Sequence, residues 1–234
     1  MSLDLARFEA LTFDCYGTLI DWEAGLLAAL HTALDGSAEP LRDDEDLLLR
    51  YARHEAALEA GPYLRYRDVL AGGLRGVAVE LGLATDDAAA TAFGSSVVDW
   101  PAFPDSAAAL ARLRTRFRLG VLTNCDDDLF AASEARLGVK FEWVVTAQQV
   151  GSYKPDLANF EALLARVGLP RERILHVAQS LYHDHVPARR LGLASVWIDR
   201  RHDRPGAGAT PVADAAPDAT FPDMASFALA AAPD

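Results

Sequence analysis

Five short apolar runs, at residues 10–13, 119–123, 143–146, 174–178 and 194–198, constrain this chain more than any other feature. Each has the length of a buried strand, and Gly17 punctuates the first. From residue 100 onward they alternate with segments at 106–117, 126–137, 156–167 and 187–191 that carry apolar residues three and four apart. Such alternation predicts an α/β fold: a doubly wound, Rossmann-like parallel sheet with helices on both faces and a ligand site at the carboxyl ends of the strands.

Residues 21–98 break the pattern. They read as successive helices at 23–34, 43–59, 66–81 and 86–98, punctuated by Gly61-Pro62, Gly72-Gly73 and Gly82. The expected organisation is therefore a core of 1–20 and 99–234, with a helical cap subdomain, 21–98, inserted after the first strand. The Pro-, Gly- and Ala-rich stretch 204–219 reads as a surface loop before a last short strand and helix at 220–230.

A net charge of −12 without a Lys/Arg-rich block argues against nucleic acid and anionic membrane as partners. Local positive groups in a cleft still permit a small anionic substrate. Cys15 and Cys125 form no ligand pattern and are read as reduced thiols. With no signal-like segment and no run of 18 apolar residues, a cytoplasmic protein is expected, as a monomer or homodimer.

Polar clusters stand where four of the strands end. Asp14 follows the first, Thr123-Asn124 closes the second, Lys154-Pro155 is expected to open a helix after the third, and Gln179-Ser180-Leu181-Tyr182-His183-Asp184 follows the fourth. Each alone is a turn or helix-cap residue. Together, in a doubly wound sheet, they bring a carboxylate, a hydroxyl-amide pair, a lysine and a second carboxylate into one crevice, with Asp14 a candidate covalent nucleophile.

FDCYGTLID at 13–21, LTN at 122–124, SYKPD at 152–156 and AQSLYHD at 178–184 resemble the four motifs of the haloacid dehalogenase superfamily, in order and at similar spacing. Most members of that superfamily are magnesium-dependent phosphatases with a second Asp two residues after the nucleophile and an acidic metal ligand early in the fourth motif. This chain has Tyr16 and Gln179 there. Mg²⁺ wants anionic oxygen ligands, and a departing halide, unlike an alkoxide, needs no proton. The Asp-x-Tyr-Gly-Thr pattern resembles the type II 2-haloacid dehalogenases.

The resemblance implies metal-free, cofactor-free hydrolysis of a small 2-haloalkanoic acid through an ester on Asp14, giving a 2-hydroxy acid and halide. Lys154 would pair with Asp14 and lower its pKa. Thr18 and Thr123 would hydrogen-bond the nucleophile or the substrate carboxylate, with Tyr16 lining the substrate site and Ser180 in support. Asn124 would help hold the halide. Asp184 would position or activate water and also cap the helix near Pro187.

A cap arginine is expected to cradle the halide. Among Arg50, Arg53, Arg65 and Arg67, the choice falls on Arg50, with an ordinary solvated arginine as the alternative. Phe160 stands where relatives carry a tyrosine. His183-Asp184-His185 is read as a helix start rather than a metal site, and His31, His54, His176 and His202 as structural or surface residues. Trp22, Tyr51, Tyr63, Tyr66, Trp100 and Phe103 are read as core, some as pocket wall. Two alternatives stay open: an Mg²⁺-dependent phosphatase acting on a small phosphate ester, and a catalytically silent binding protein on the same fold.

Overall fold

A computed structural model describes residues 3–34, 43–203 and 209–233. The strands are β1 (Ala10–Phe13), β2 (Arg118–Thr123), β3 (Trp143–Thr146), β4 (Ile174–Ala178), β5 (Ala194–Ile198) and β6 (Ala219–Phe221). They form one parallel sheet in the order β3-β2-β1-β4-β5-β6. The order reverses at β1, so the crevice of a doubly wound sheet opens where this strand ends. Phe13 lies level with Val121 of β2 and Val177 of β4. Asp14 therefore leaves the sheet between those two strand ends.

Both faces of the sheet are covered, which is why its central strands read as continuous apolar runs. On one face Leu11, Phe13 and Val121 pack with residues of α5 (Ser106–Leu113), α6 (Asp127–Leu137) and α10 (Met224–Ala231). On the other, Ala10, Leu122, Val145 and Ile174 meet Phe160 and Leu163 of α8 (Leu157–Val167) and Ala188 of α9 (Val186–Arg190). Phe160 is fully buried there.

Between β1 and α5 come α1 (Trp22–Leu34), α2 (Asp44–Glu59), α3 (Tyr66–Glu80) and α4 (Asp87–Gly94). Asp43 and Asp86 cap α2 and α4, accepting the backbone N–H groups of Glu45 and Ala89. Helices α2, α3 and α4 pack in sequence, and the approach is close enough that a Cβ on Gly73 would lie 2.6 Å from the Tyr51 ring. The start of α3 docks on the buried Asp126, whose carboxylate accepts the N–H groups of Tyr66 and Arg67 at 3.0 and 3.3 Å.

Several boundaries differ from the sequence-based expectation. The helix expected at 106–117 ends at Leu113, because the chain turns back to feed β2. The one expected at 86–98 splits into α4 and a 3₁₀ turn at Ser96–Asp99. Lys154-Pro155 opens no helix: α8 starts at Leu157, capped by Asp156, after a short α7 (Ala147–Val150). Part of the expected loop, 204–208, lies outside the described residues. Among the described residues no helix is long and apolar enough to cross a membrane.

Candidate active site

The carboxyl ends of β1, β2 and β4 surround a cavity of about 100 Å³ whose wall includes Asp14, Asn124, Lys154, Ser180 and Asp184. Asp14 is 6% exposed. Its two oxygens have separate donors: Oδ1 takes Lys154 Nζ at 2.8 Å, and Oδ2 takes the Thr18 hydroxyl at 2.6 Å. Thr18 in turn accepts the backbone N–H of Gln179, so the loop after β1 is tied to the loop after β4.

Lys154 Nζ donates also to Asp184 Oδ1, at 2.8 Å, and to the carbonyl of Leu122. All three of its ammonium donors are thus spent inside the protein. Asp184 takes a second donor from below: His176 Nε2 lies 2.9 Å from Oδ1, while His176 Nδ1 faces the Thr12 hydroxyl at 3.0 Å. An ionised Asp184 only accepts, which places an imidazole proton on Nε2. Asp184 Oδ2 is buried with no partner among the described residues.

One ammonium shared by two buried carboxylates sets their charges apart. Burial pushes Asp14 above the ordinary carboxylate range, and the neighbouring Asp184 adds to this, against the pull of Lys154 and Thr18. Burial pushes Asp184 the same way, but Lys154 and His176 outweigh it and hold its carboxyl well below that range. Burial alone would lower Lys154, and the two carboxylates overcome this and keep it charged. Lys154 pulls the pKa of Asp14 down as expected, but desolvation of the Asp14 carboxyl outweighs that pull.

The remaining expected residues divide. Tyr16 lines the cavity, but its hydroxyl is engaged with Ser133 Oγ at 3.0 Å and takes the Cys125 thiol at 3.3 Å. Ser180 lines it too and caps the turn Leu181–His185, accepting the His183 N–H. Asn124 clasps the backbone of Lys154 from both sides, accepting its N–H at 2.7 Å and donating to its carbonyl at 3.2 Å. Thr123 Oγ1 is buried and bonds no described residue, Asp14 included.

Two expectations fail on geometry. Asp184 caps no helix: it sits within a π-helical turn whose backbone turns its carboxylate inward to Lys154. Arg50 does not line the cavity: its guanidinium is held by Asp46 at 2.6 Å and Glu80 at 3.1 Å on the far side of α2. Instead α2 presents Ala52, Glu55, Ala56 and Glu59 to the cavity.

Sequence reasoning missed those glutamates, and also His176 and His183. Their signals were present in part: Thr12 and His176 sit at equivalent positions of adjoining strands, and residues 52, 55, 56 and 59 share one helical face. His183 lines the cavity, bonded to Ser180, and burial pushes it down to about 4, so it is neutral at pH 7.

Residues 8–184 match the family model described as haloacid dehalogenase-like hydrolase. The chain belongs to the haloacid dehalogenase-like hydrolases. Among relatives in this family, an (S)-2-haloacid dehalogenase of Pseudomonas putida is 27% identical over 197 residues, covering 82% of this chain and 86% of that protein. A 5-amino-6-(5-phospho-D-ribitylamino)uracil phosphatase of Escherichia coli strain K12 is 29% identical over 208 residues, covering 83% and 84%. The fold matches that of an L-2-haloacid dehalogenase from Xanthobacter autotrophicus with chloropropionic acid covalently bound. There the TM-score is 0.78 and the identity 18%, over 97% of this chain and 100% of the other.

Proposed function

We propose that this haloacid dehalogenase-like hydrolase cleaves the carbon–halogen bond of a small 2-halo acid through an ester on Asp14, with residues 21–98 serving as a cap over the site. One observation carries the choice of reaction. The position two residues after the nucleophile, where a phosphatase of this superfamily needs a second acid, holds Tyr16, and its hydroxyl is committed to Ser133 and Cys125.

In the first step a lone pair of the Asp14 carboxylate attacks the carbon bearing the halogen from the side opposite it. The carbon–oxygen bond forms as the carbon–halogen bond breaks, and the halide leaves with the bonding pair. Lys154 and Thr18 hold the carboxylate in one orientation, which supports in-line attack. Water then cleaves the ester, releasing the 2-hydroxy acid, a proton and the free Asp14 carboxylate. The unpartnered Oδ2 of Asp184 supports a role in orienting that water. Its low basicity beside Lys154 suits orientation better than proton abstraction in the resting enzyme.

The residues present do not fit a magnesium site of the phosphatase kind, since Tyr16 and Gln179 are neutral where that chemistry uses acids. The phosphatase relative keeps phosphate-ester hydrolysis as the second reading. The experiment is halide release from 2-chloropropionate, with and without EDTA, against Asp14→Asn. Chelator-insensitive release that disappears in the variant is the expected result. No release, together with magnesium-dependent turnover of a phosphate ester, would replace this reading with the second.

A further inference from the structure

The cavity is lined by four carboxyl groups, Asp14, Glu55, Glu59 and Asp184, and among the described residues its sole cationic side chain is Lys154. That ammonium is already divided between Asp14 and Asp184. Among the described residues, no cationic side chain on this wall is left unpaired. The site has instead an excess of acceptors.

Glu55 and Glu59 stand one turn apart on α2, a spacing at which like charges weaken a helix. Glu55 accepts the hydroxyls of Tyr66 at 3.1 Å and Tyr51 at 3.3 Å, which fix it without neutralising it. Glu59 makes no hydrogen bond or ion pair with any described residue, although it is half-buried in the cavity wall. Ala52 and Ala56 flank the pair on the same face and leave room above it. A separate observation points the same way: Asp184, fully buried in the same cavity wall, keeps Oδ2 without a partner among the described residues. Burial relieves the pair by favouring the protonated carboxyls, pushing Glu55 up to about 7 and Glu59 well above the ordinary range, and a ligand that brings donors and positive charge would favour their ionised forms instead.

We propose that the substrate of this site carries a protonated amino group, bound by Glu55 and Glu59, in addition to the carbon that Asp14 attacks. Resting on the dehalogenase reading above, this makes the substrate class a small 2-halo acid that also carries a cationic amine, held in a cavity of about 100 Å³. A charge-assisted contact of this kind favours the amino substrate by roughly tenfold or more over its plain homologue.

The test has a binding arm and a turnover arm. Calorimetry at pH 7.5 compares n-butylammonium with butanoate on the wild-type protein and on Glu55→Gln/Glu59→Gln. The expected result is binding of the amine alone, weakened about tenfold or more in the double variant. Absence of amine binding, butanoate binding as tightly, or amine binding unchanged in the variant would each overturn the proposal. Should the double variant fail to fold, Glu59→Gln alone serves, since Glu59 has no internal hydrogen bond to lose.

Halide release from 4-amino-2-chlorobutanoate and 2-chlorobutanoate then separates the two ideas. A preference for the amino acid that the variant loses supports both. Equal or better release from 2-chlorobutanoate, which the variant leaves unchanged, overturns the amine subsite and keeps the dehalogenase. Glutamate-dependent amine binding with no halide from either acid keeps the subsite and removes the dehalogenase.

Discussion

His176 Nε2 meets Asp184 Oδ1 at 2.9 Å, wholly inside the protein. Asp184, beside Lys154, is thus anchored from within the sheet, through a ring that itself leans on Thr12 of the neighbouring strand. His176→Leu strands the Thr12 hydroxyl and removes one of the two donors to Asp184. Unsatisfied buried polar groups cost about 1–3 kcal/mol each, so unfolding stability should drop by about 2–4 kcal/mol. Denaturant titration checks this, and single-turnover kinetics should show a slower hydrolytic step than in wild type.

In the proposed reaction Asp14 attacks only as the carboxylate. Because burial raises its pKa, the acid limb of kcat/KM should lie above the ordinary range for an aspartate. The Thr18 hydroxyl bonds the charged form, so Thr18→Val makes ionisation harder and moves the limb to still higher pH. A pH–rate profile of wild type and variant measures both displacements, and a limb shifted downward in Thr18→Val would refute the assignment.

Glu55 is pushed up to about 7 by burial, against the opposing hydrogen bonds from Tyr66 and Tyr51. A carboxyl that holds its proton more tightly in the folded state contributes stability at low pH. That contribution falls as pH rises from the unfolded value near 4.5 and is gone above about 7. Glu55→Gln, which keeps an acceptor for both tyrosines, should therefore be the more stable protein at pH 8, by on the order of 1–3 kcal/mol. Melting curves at pH 5 and pH 8 test this; an equal loss in both would show that the charge is paired after all.

Gly25 lets α1 lie against Trp100, and a Cβ there would fall 2.4 Å from the indole. Trp100 packs edge-on against Tyr16, with ring centroids 5.7 Å apart, so the disturbance reaches the cavity wall. Gly25→Ala should lower stability by about 1–3 kcal/mol and raise KM more than it lowers kcat, as steady-state kinetics beside a thermal melt would show.

Much of the fold was legible because buried parallel strands must be apolar on both faces. The runs at 10–13, 143–146, 174–178 and 194–198 coincide with β1, β3, β4 and β5. Helix ends were less legible. Arg114 to Phe117 continue the apolar pattern of α5 yet turn back toward β2, a choice made by the position of the next strand rather than by propensity.

At the site, Asp14, Lys154 and Asp184 were readable because strand ends in such a sheet converge, and the structure brings the three carboxylate and ammonium groups within 2.8 Å contacts. His176 was not, since a histidine inside a strand looks the same whether it faces a neighbouring threonine or serves a site several residues on. The roles expected of Thr123 and Asn124 placed both side chains at the ligand. Asn124 does line the cavity while also clasping the backbone of Lys154, whereas Thr123 is not among the lining residues.

The order of strands and helices, and with it the set of polar residues at the carboxyl ends of the sheet, follows from strand and helix periodicities, which are local properties of the chain. Which side of α2 faces that sheet is a matter of packing. Arg50 and Glu55 lie roughly 140° apart around the helix axis, and nothing in the helical period states which of them turns inward. The packing of α2 on α3 does: it directs Arg50 to Glu80 and brings Glu55 to the cavity, exchanging an expected cation for an acid.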